Sequence, residues 1–148
     1  MTFEFSRWRD DVAWQQRLAA DQAALGERLS ADQRQVLGEI AGIVGVGDAD
    51  DVLALDFMVV FGSYARGEQG VDSDVDIYFE ANLPEPINRM DADRSYQVFG
   101  LPPGALASAL REGQEFAQSV VAHALIVQDN GSFRRVLIFV DEGRTAKL

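Results

Sequence analysis

The chain has 148 residues, of which 47% are hydrophobic, and this length and apolar content suit one folded domain and exclude a disordered chain. Acidic residues outnumber basic ones by 24 to 13, and the resulting net charge of −11 argues against a protein that binds nucleic-acid polymers through their phosphates. The absence of cysteine excludes disulfides and thiolate metal sites, and a single lysine, Lys147, excludes a P-loop.

The sequence predicts neither a membrane span nor a secretory signal. No apolar run approaches the ~18 residues that a transmembrane helix requires. The N-terminal segment MTFEFSRWRD is too highly charged for a signal peptide. We therefore expect a cytoplasmic protein without membrane association.

Residues 1–47 are predicted to form N-terminal helices. Apolar residues recur at helical spacing over residues 7–29, which predicts a first helix. Ser30 and Gln33 match a capping box, and the second helix that they open is expected to end at Gly45 and Gly47.

Residues 52–129 are predicted to form the core. An acidic loop, residues 48–51, precedes an apolar run from Leu53 to Phe61 that is typical of a buried strand. Residues 74–80 alternate carboxylate and apolar side chains, which predicts a second strand. The proline-containing segment 81–93 is interpreted as an exposed loop. The remaining predictions are a strand at 95–99, helices at 104–110 and 115–124, and a strand at 125–128.

The tail, residues 130–148, fits two structures. Its apolar spacing fits a helix with Ser132 as a cap, and it fits equally a strand after a hairpin turn at Asn130 and Gly131. We favour the helix slightly. The element order predicts an α+β or α/β fold, a small sheet packed by helices with an extra N-terminal helix, in a single domain over residues 1–148.

The segment Val59–Glu80, VVFGSYARGEQGVDSDVDIYFE, contains the candidate phosphate-binding residues. Gly62 allows close approach of a ligand to the backbone. Ser63 supplies a hydroxyl and begins a turn whose N–H groups suit a phosphate. Arg66 is placed to reach the same anion with its guanidinium group.

Two carboxylates, Asp74 and Asp76, follow in the same segment. In a strand their Cα atoms lie ~6.6 Å apart on one face, from a rise of ~3.3 Å per residue. The two charges repel each other, and a divalent cation such as Mg²⁺ removes that repulsion. A phosphate cradle beside this pair describes a site for a nucleoside triphosphate with its metal.

This segment resembles the minimal nucleotidyltransferases of the DNA polymerase β-like superfamily. Their signature is Gly-Ser, a spacer and Asp-x-Asp in strand–turn–strand context. The resemblance is closest over residues 57–80 and extends to 31–47 and 104–129. The matching residues are Gly62-Ser63, ten intervening residues and Asp74-Val75-Asp76, with the companion motif Ala65-Arg66-Gly67.

The resemblance implies a nucleotidyltransferase-like mixed sheet and a role for each motif residue. Gly62 and Ser63 would hold the triphosphate of ATP or another NTP. Asp74 and Asp76 would be the catalytic residues that bind Mg²⁺. The family's active members use a third carboxylate on a following strand, and in this chain its expected position falls on Gln97.

An amide at this position cannot accept a proton at neutral pH. Asp91 and Asp93 lie just upstream and are substitutes if the strand begins earlier. Asp141 is a substitute only if the tail is a strand beside the site.

Two hypotheses follow. The first is a Mg²⁺-dependent nucleotidyltransferase that transfers a nucleoside monophosphate from NTP to a hydroxyl acceptor. The resemblance implies a frequent setting for it, an antitoxin whose acceptor is a tyrosine on a HEPN-type toxin. The second is a catalytically impaired module with the same fold that binds nucleotide or a partner protein, and Gln97 favours it.

Overall fold

The structure, a computed structural model, describes residues 38, 39, 41, 42, 44–62, 75–91, 96–122 and 124–148. The predicted helix over 7–29 and the predicted capping box at Ser30 lie outside these residues. The chain divides into two compact units, Met1–Leu55 and Asp56–Leu148.

The described part of the first unit contains two helical segments. Residues 38, 39, 41, 42 and 44 are helical, and positive φ angles at Gly45 and Gly47 confirm the predicted helix end. Helix α1, Ala49–Leu53, follows.

The predicted acidic loop over residues 48–51 is wrong, because its carboxylates cap α1. The Asp48 side chain accepts a hydrogen bond from the backbone N–H of Asp51 at 3.1 Å, and the Asp51 side chain accepts one from the N–H of Asp48 at 2.9 Å. This reciprocal pair is a capping box, formed here by two aspartates. Leu53 accordingly belongs to the helix and not to the following strand.

The second unit contains a five-stranded mixed sheet, which confirms the predicted α+β class. The order is β3-β4-β2-β1-β5, with β2 and β4 parallel and the other neighbours antiparallel. The strands are β1 Phe57–Phe61, β2 Val75–Glu80, β3 Ile87–Asp91, β4 Tyr96–Leu101 and β5 Leu125–Asp129. The helices are α2 Ala105–Arg111, α3 Glu115–Ala122 and α4 Ser132–Asp141, followed by a 3₁₀ turn Thr145–Lys147.

Strand β3 corrects the predicted loop over residues 81–93. It pairs antiparallel with β4 at the edge of the sheet, from Ile87 opposite Gly100 to Asp91 opposite Tyr96. Its sequence, INRMD, lacks the clean alternation of a half-buried strand. Edge strands tolerate such polar residues because only one of their sides is paired.

Strands β1 and β2 are buried on both faces. Phe57 and Tyr78 lie on the face that packs with α2, α3 and α4, and Met58 and Ile77, on the other face, are also fully buried. Burial on both sides explains why the β1 sequence FMVVF is a continuous apolar run. The helical residues that pack against the first face include Leu106, Leu110, Ala117, Val120, Phe133 and Val136.

A buried glutamate connects β2 to α2. Glu80 is 4% exposed, and its carboxylate accepts hydrogen bonds from the N–H groups of Gly104 at 2.9 Å and Leu106 at 2.8 Å. The hydroxyl of Tyr78 donates a third hydrogen bond to it at 2.8 Å. These bonds satisfy N–H groups that the first turn of α2 otherwise leaves without partners.

A buried aspartate caps α4 in the same way. Asp129 is fully buried, and its carboxylate accepts hydrogen bonds from the N–H groups of Gly131, Phe133 and Arg134 at 2.8, 3.0 and 3.1 Å. The favoured tail helix is therefore confirmed, but Ser132 is its first residue and not its cap.

The glutamate cap predicts a pH dependence of stability. Burial raises the pKa of Glu80 above its ordinary value of 4.5, aided by the negative charge of Asp56 and opposed by the three hydrogen bonds. Because the folded protein binds this proton more readily than the unfolded chain, the free energy of unfolding falls as pH rises above 4.5 through the folded-state pKa.

Urea denaturation between pH 4 and pH 8 measures the fall in the free energy of unfolding that is due to Glu80. We expect this fall to be absent in Glu80→Gln, since the amide does not ionise. The control Glu85→Gln, in an exposed loop, should show the same fall as wild type. Identical pH profiles for wild type and Glu80→Gln would contradict the prediction.

Candidate active site

Two of the predicted site residues lie together where β1 ends and β2 begins. Gly62 directly follows β1, and Asp76 is the second residue of β2. Asp76 is paired with Phe61, the last residue of β1. Ser63, Arg66 and Asp74 lie outside the described residues.

Gly62 is in close contact with the Asp76 carboxylate. Its φ of +79° is a left-handed conformation that favours glycine. A Cβ atom at this position would lie 2.6 Å from Oδ2 of Asp76, which is closer than real Cβ contacts allow. The position therefore favours glycine for its backbone conformation, and any larger residue would also have to displace the carboxylate beside it.

Strand pairing places Gln97 next to Asp76. In the parallel pair of β2 and β4, Asp76 is opposite Gln97, and both side chains are half-buried. Paired residues in neighbouring strands project to the same face of the sheet. We name the row formed by Phe61, Asp76 and Gln97 across β1, β2 and β4 the carboxylate row.

Two of the three proposed substitutes for a third carboxylate, Asp91 and Asp141, do not lie in this row. Asp91 is opposite Tyr96, one position away from Met90, which is the β3 partner of Gln97. Asp93 lies outside the described residues. Asp141 is the exposed last residue of α4, so the strand that its role required is not formed.

The chemistry of the carboxylate row fits a hard cation. Asp76 provides carboxylate oxygens, which Mg²⁺ prefers, and the amide oxygen of Gln97 is a weaker ligand of the same type. Among the described residues, no group of three or more His, Cys, Asp or Glu side chains is arranged to hold a metal ion. Asp76 is the one acidic residue in the row.

An aromatic cluster that the sequence patterns do not predict adjoins the row. The ring of Phe116, from α3, lies 5.8 Å from that of Phe61, 5.9 Å from that of Tyr78 and 5.1 Å from that of Phe99. The alternation of side chains along β1, β2 and β4 is enough to put the rings of Phe61, Tyr78 and Phe99 on one face of the sheet. Nothing in the helical pattern of α3 indicates that Phe116 meets all three.

The comparison with protein families identifies the segment that contains this row. The model of the nucleotidyltransferase domain family matches residues 51–124, which is half of the chain. The matched segment includes strands β1 to β4 and all the predicted site residues. No curated protein matches the chain. None of the helices in the described ranges has the length and apolar character needed to cross a bilayer.

The contact between Gly62 and Asp76 predicts a destabilising variant. Gly113 is a matched control, because its φ is +72° but an added Cβ would meet nothing within 4 Å. We expect Gly113→Ala to cost about 1–2 kcal/mol through backbone strain alone. Gly62→Ala should cost more, because the new methyl group also displaces the carboxylate.

Urea denaturation of Gly62→Ala and Gly113→Ala measures how much more stability the first substitution costs than the second. Replacing Asp76 by alanine removes the clash, so in that background Gly62→Ala should cost no more than Gly113→Ala. An unchanged cost in the Asp76→Ala background would disprove the assigned contact.

Proposed function

The chain belongs to the nucleotidyltransferase domain family, and from this premise we propose that it transfers a nucleoside monophosphate from ATP or another NTP to a hydroxyl acceptor, with Mg²⁺ as the metal. The observation that supports the proposal is the contact of Gly62 with Asp76 at the end of two paired strands inside the matched segment.

Each motif residue has a role in this proposal. Asp74 and Asp76 hold Mg²⁺, and the glycine at position 62 leaves room for the Asp76 carboxylate beside the backbone. Ser63 and Arg66 donate hydrogen bonds to the triphosphate. When bound, Mg²⁺ neutralises charge on the phosphates during transfer.

The transfer exchanges one P–O bond for another. The acceptor oxygen forms a bond to the α-phosphorus, the bond to the bridging oxygen breaks, and pyrophosphate leaves. The acceptor hydroxyl also loses its proton. The amide of Gln97 does not accept that proton at neutral pH, so the proton passes to water or to a base that the acceptor supplies.

A second candidate function is a binding module with the same fold and impaired catalysis. The pairing of Gln97 with Asp76 favours it, because the amide occupies the position beside the carboxylate where a base would be useful. Such a module would bind NTP and Mg²⁺ without transfer.

We propose a protein as the acceptor or partner. The resemblance to minimal nucleotidyltransferases favours a tyrosine on a HEPN-type toxin, with this chain as the cytoplasmic antitoxin. The net charge of −11 suits a basic partner surface.

Asparagine substitutions test the metal-binding carboxylates. We expect Asp74→Asn and Asp76→Asn each to abolish transfer from labelled ATP to a candidate toxin, and to abolish the Mg²⁺-dependent rise in melting temperature with ATP. In wild type, ligand at 100 times its Kd adds ~2.7 kcal/mol of stability. The control is Asp141→Asn, at an exposed position on α4.

The outcomes separate the two candidate functions. Transfer that disappears only in the site variants supports the enzyme. Nucleotide binding without transfer to any acceptor supports the module. A wild-type protein whose melting temperature responds to neither ATP nor Mg²⁺ would contradict both.

Restoring a carboxylate at position 97 tests the role of the amide. We expect Gln97→Asp to raise the transfer rate by about 10²-fold or more, the lower range for a positioned general base. The control Gln118→Asp adds the same charge at an exposed position of α3 and should leave the rate unchanged. An equal rate in wild type and Gln97→Asp would show that the amide does not limit transfer.

A further inference from the structure

A cavity of about 250 Å³ lies between the corner of α2 and α3 and the strands β2 and β4. Its apolar wall includes Tyr78, Leu101 and Phe116, and its polar lining residues are Ser108, Glu112 and Gln114. None of these residues belongs to the glycine-serine or aspartate motifs. The cavity is therefore a feature separate from those motifs.

Two of the lining residues connect the cavity to the carboxylate row. Tyr78 lies two positions after Asp76 on β2, so both side chains project to the same face of the sheet. Phe116 contacts Phe61, and Phe61 is the strand partner of Asp76. Two strand residues correspond to ~6.6 Å, so the cavity is within reach of a molecule whose phosphates lie at Asp76.

The size of the cavity suits one part of a ligand and not a complete drug-sized molecule. Pockets that enclose a complete drug-sized molecule have volumes of about 300–1,000 Å³. The smaller volume here suits a single ring system, with the charged remainder of the molecule outside. The half-buried ring of Phe116 in the wall favours a flat ring, which can stack on it.

The polar residues favour a ring with hydrogen-bonding edges. The amide nitrogen of Gln114 donates a hydrogen bond to Oε2 of Glu112 at 2.8 Å, which orients this pair. The Glu112 carboxylate retains further acceptor capacity. It therefore suits a ring that presents an amino group and disfavours one that presents a carbonyl oxygen at the same position.

We propose that this cavity binds the nucleobase of the NTP, with preference for a base that carries an exocyclic amino group. This inference rests on the proposed function, which places the triphosphate at the carboxylate row. The base then lies against the ring of Phe116, and its amino group donates to Glu112.

Filling the cavity tests the assignment. Ala105 and Ala109 line it, and leucine at either position occupies part of its volume. Calorimetric titration with Mg²⁺ and either ATP or inorganic tripolyphosphate, which has no base, separates base contacts from phosphate contacts. We expect Ala109→Leu and Ala105→Leu to weaken ATP binding by about tenfold and to leave tripolyphosphate binding unchanged.

The control is Ala122→Leu, at an exposed position on α3 outside the cavity lining, which should bind both ligands as wild type does. Unchanged ATP binding in both filled variants, or an equal loss of ATP and tripolyphosphate, would overturn the cavity assignment alone. Failure of wild type to bind either ligand would overturn the proposed function as well.

The amino-group preference has its own test. ITP replaces the exocyclic amino group of ATP by a carbonyl oxygen. We expect wild type to bind ATP more tightly than ITP, and Glu112→Gln to reduce this difference, because its amide also donates to the carbonyl. Equal binding of ATP and ITP by wild type would overturn the preference.

Discussion

The position of β2 between β1 and β4 is the constraint on which the candidate site depends. Its pairing with β1 places Asp76 beside the end of that strand, where Gly62 follows. Its parallel pairing with β4 places Gln97 on the other side of the same carboxylate. A shift of either register by one residue would turn the partner side chain to the opposite face of the sheet, so the site requires both pairings at once.

Every second side chain of β2 projects to the same face, and the three side chains on one face have three different roles. Asp76 belongs to the candidate site, Tyr78 packs in the aromatic core, and Glu80 caps α2. The helix that borders the cavity is therefore fixed to the strand that carries the carboxylate. Burial of Glu80 is unfavourable for its charged form, and the three hydrogen bonds that it accepts offset part of that cost. The same physical device, a buried carboxylate at a helix start, recurs at Asp129 for α4.

The sequence predicts much of this arrangement because local patterns determine it. Alternation identified β2, glycine spacing identified the exit from β1, and the family resemblance, applied to the predicted strand at 95–99, pointed to Gln97, which the structure pairs with Asp76. Strand β3 was missed because its polar sequence is stabilised by its pairing with β4, which is a long-range contact. The caps of α1 and α4 were missed for a related reason. Aspartate in these segments is compatible with a solvated loop, and only the folded backbone shows which N–H groups its carboxylate reaches.

The amide at position 97 separates two requirements that a nucleotidyltransferase normally meets together. Binding of a metal–nucleotide complex needs negative charge, which the proposed function assigns to Asp74 and Asp76. Turnover also needs a destination for the acceptor proton, and an amide provides none. The charge at the site and the ability to move a proton therefore depend on different residues of neighbouring strands. Loss of proton transfer need not disturb binding of the metal–nucleotide complex, because glutamine is neutral, close to glutamate in size and compatible with the same strand register.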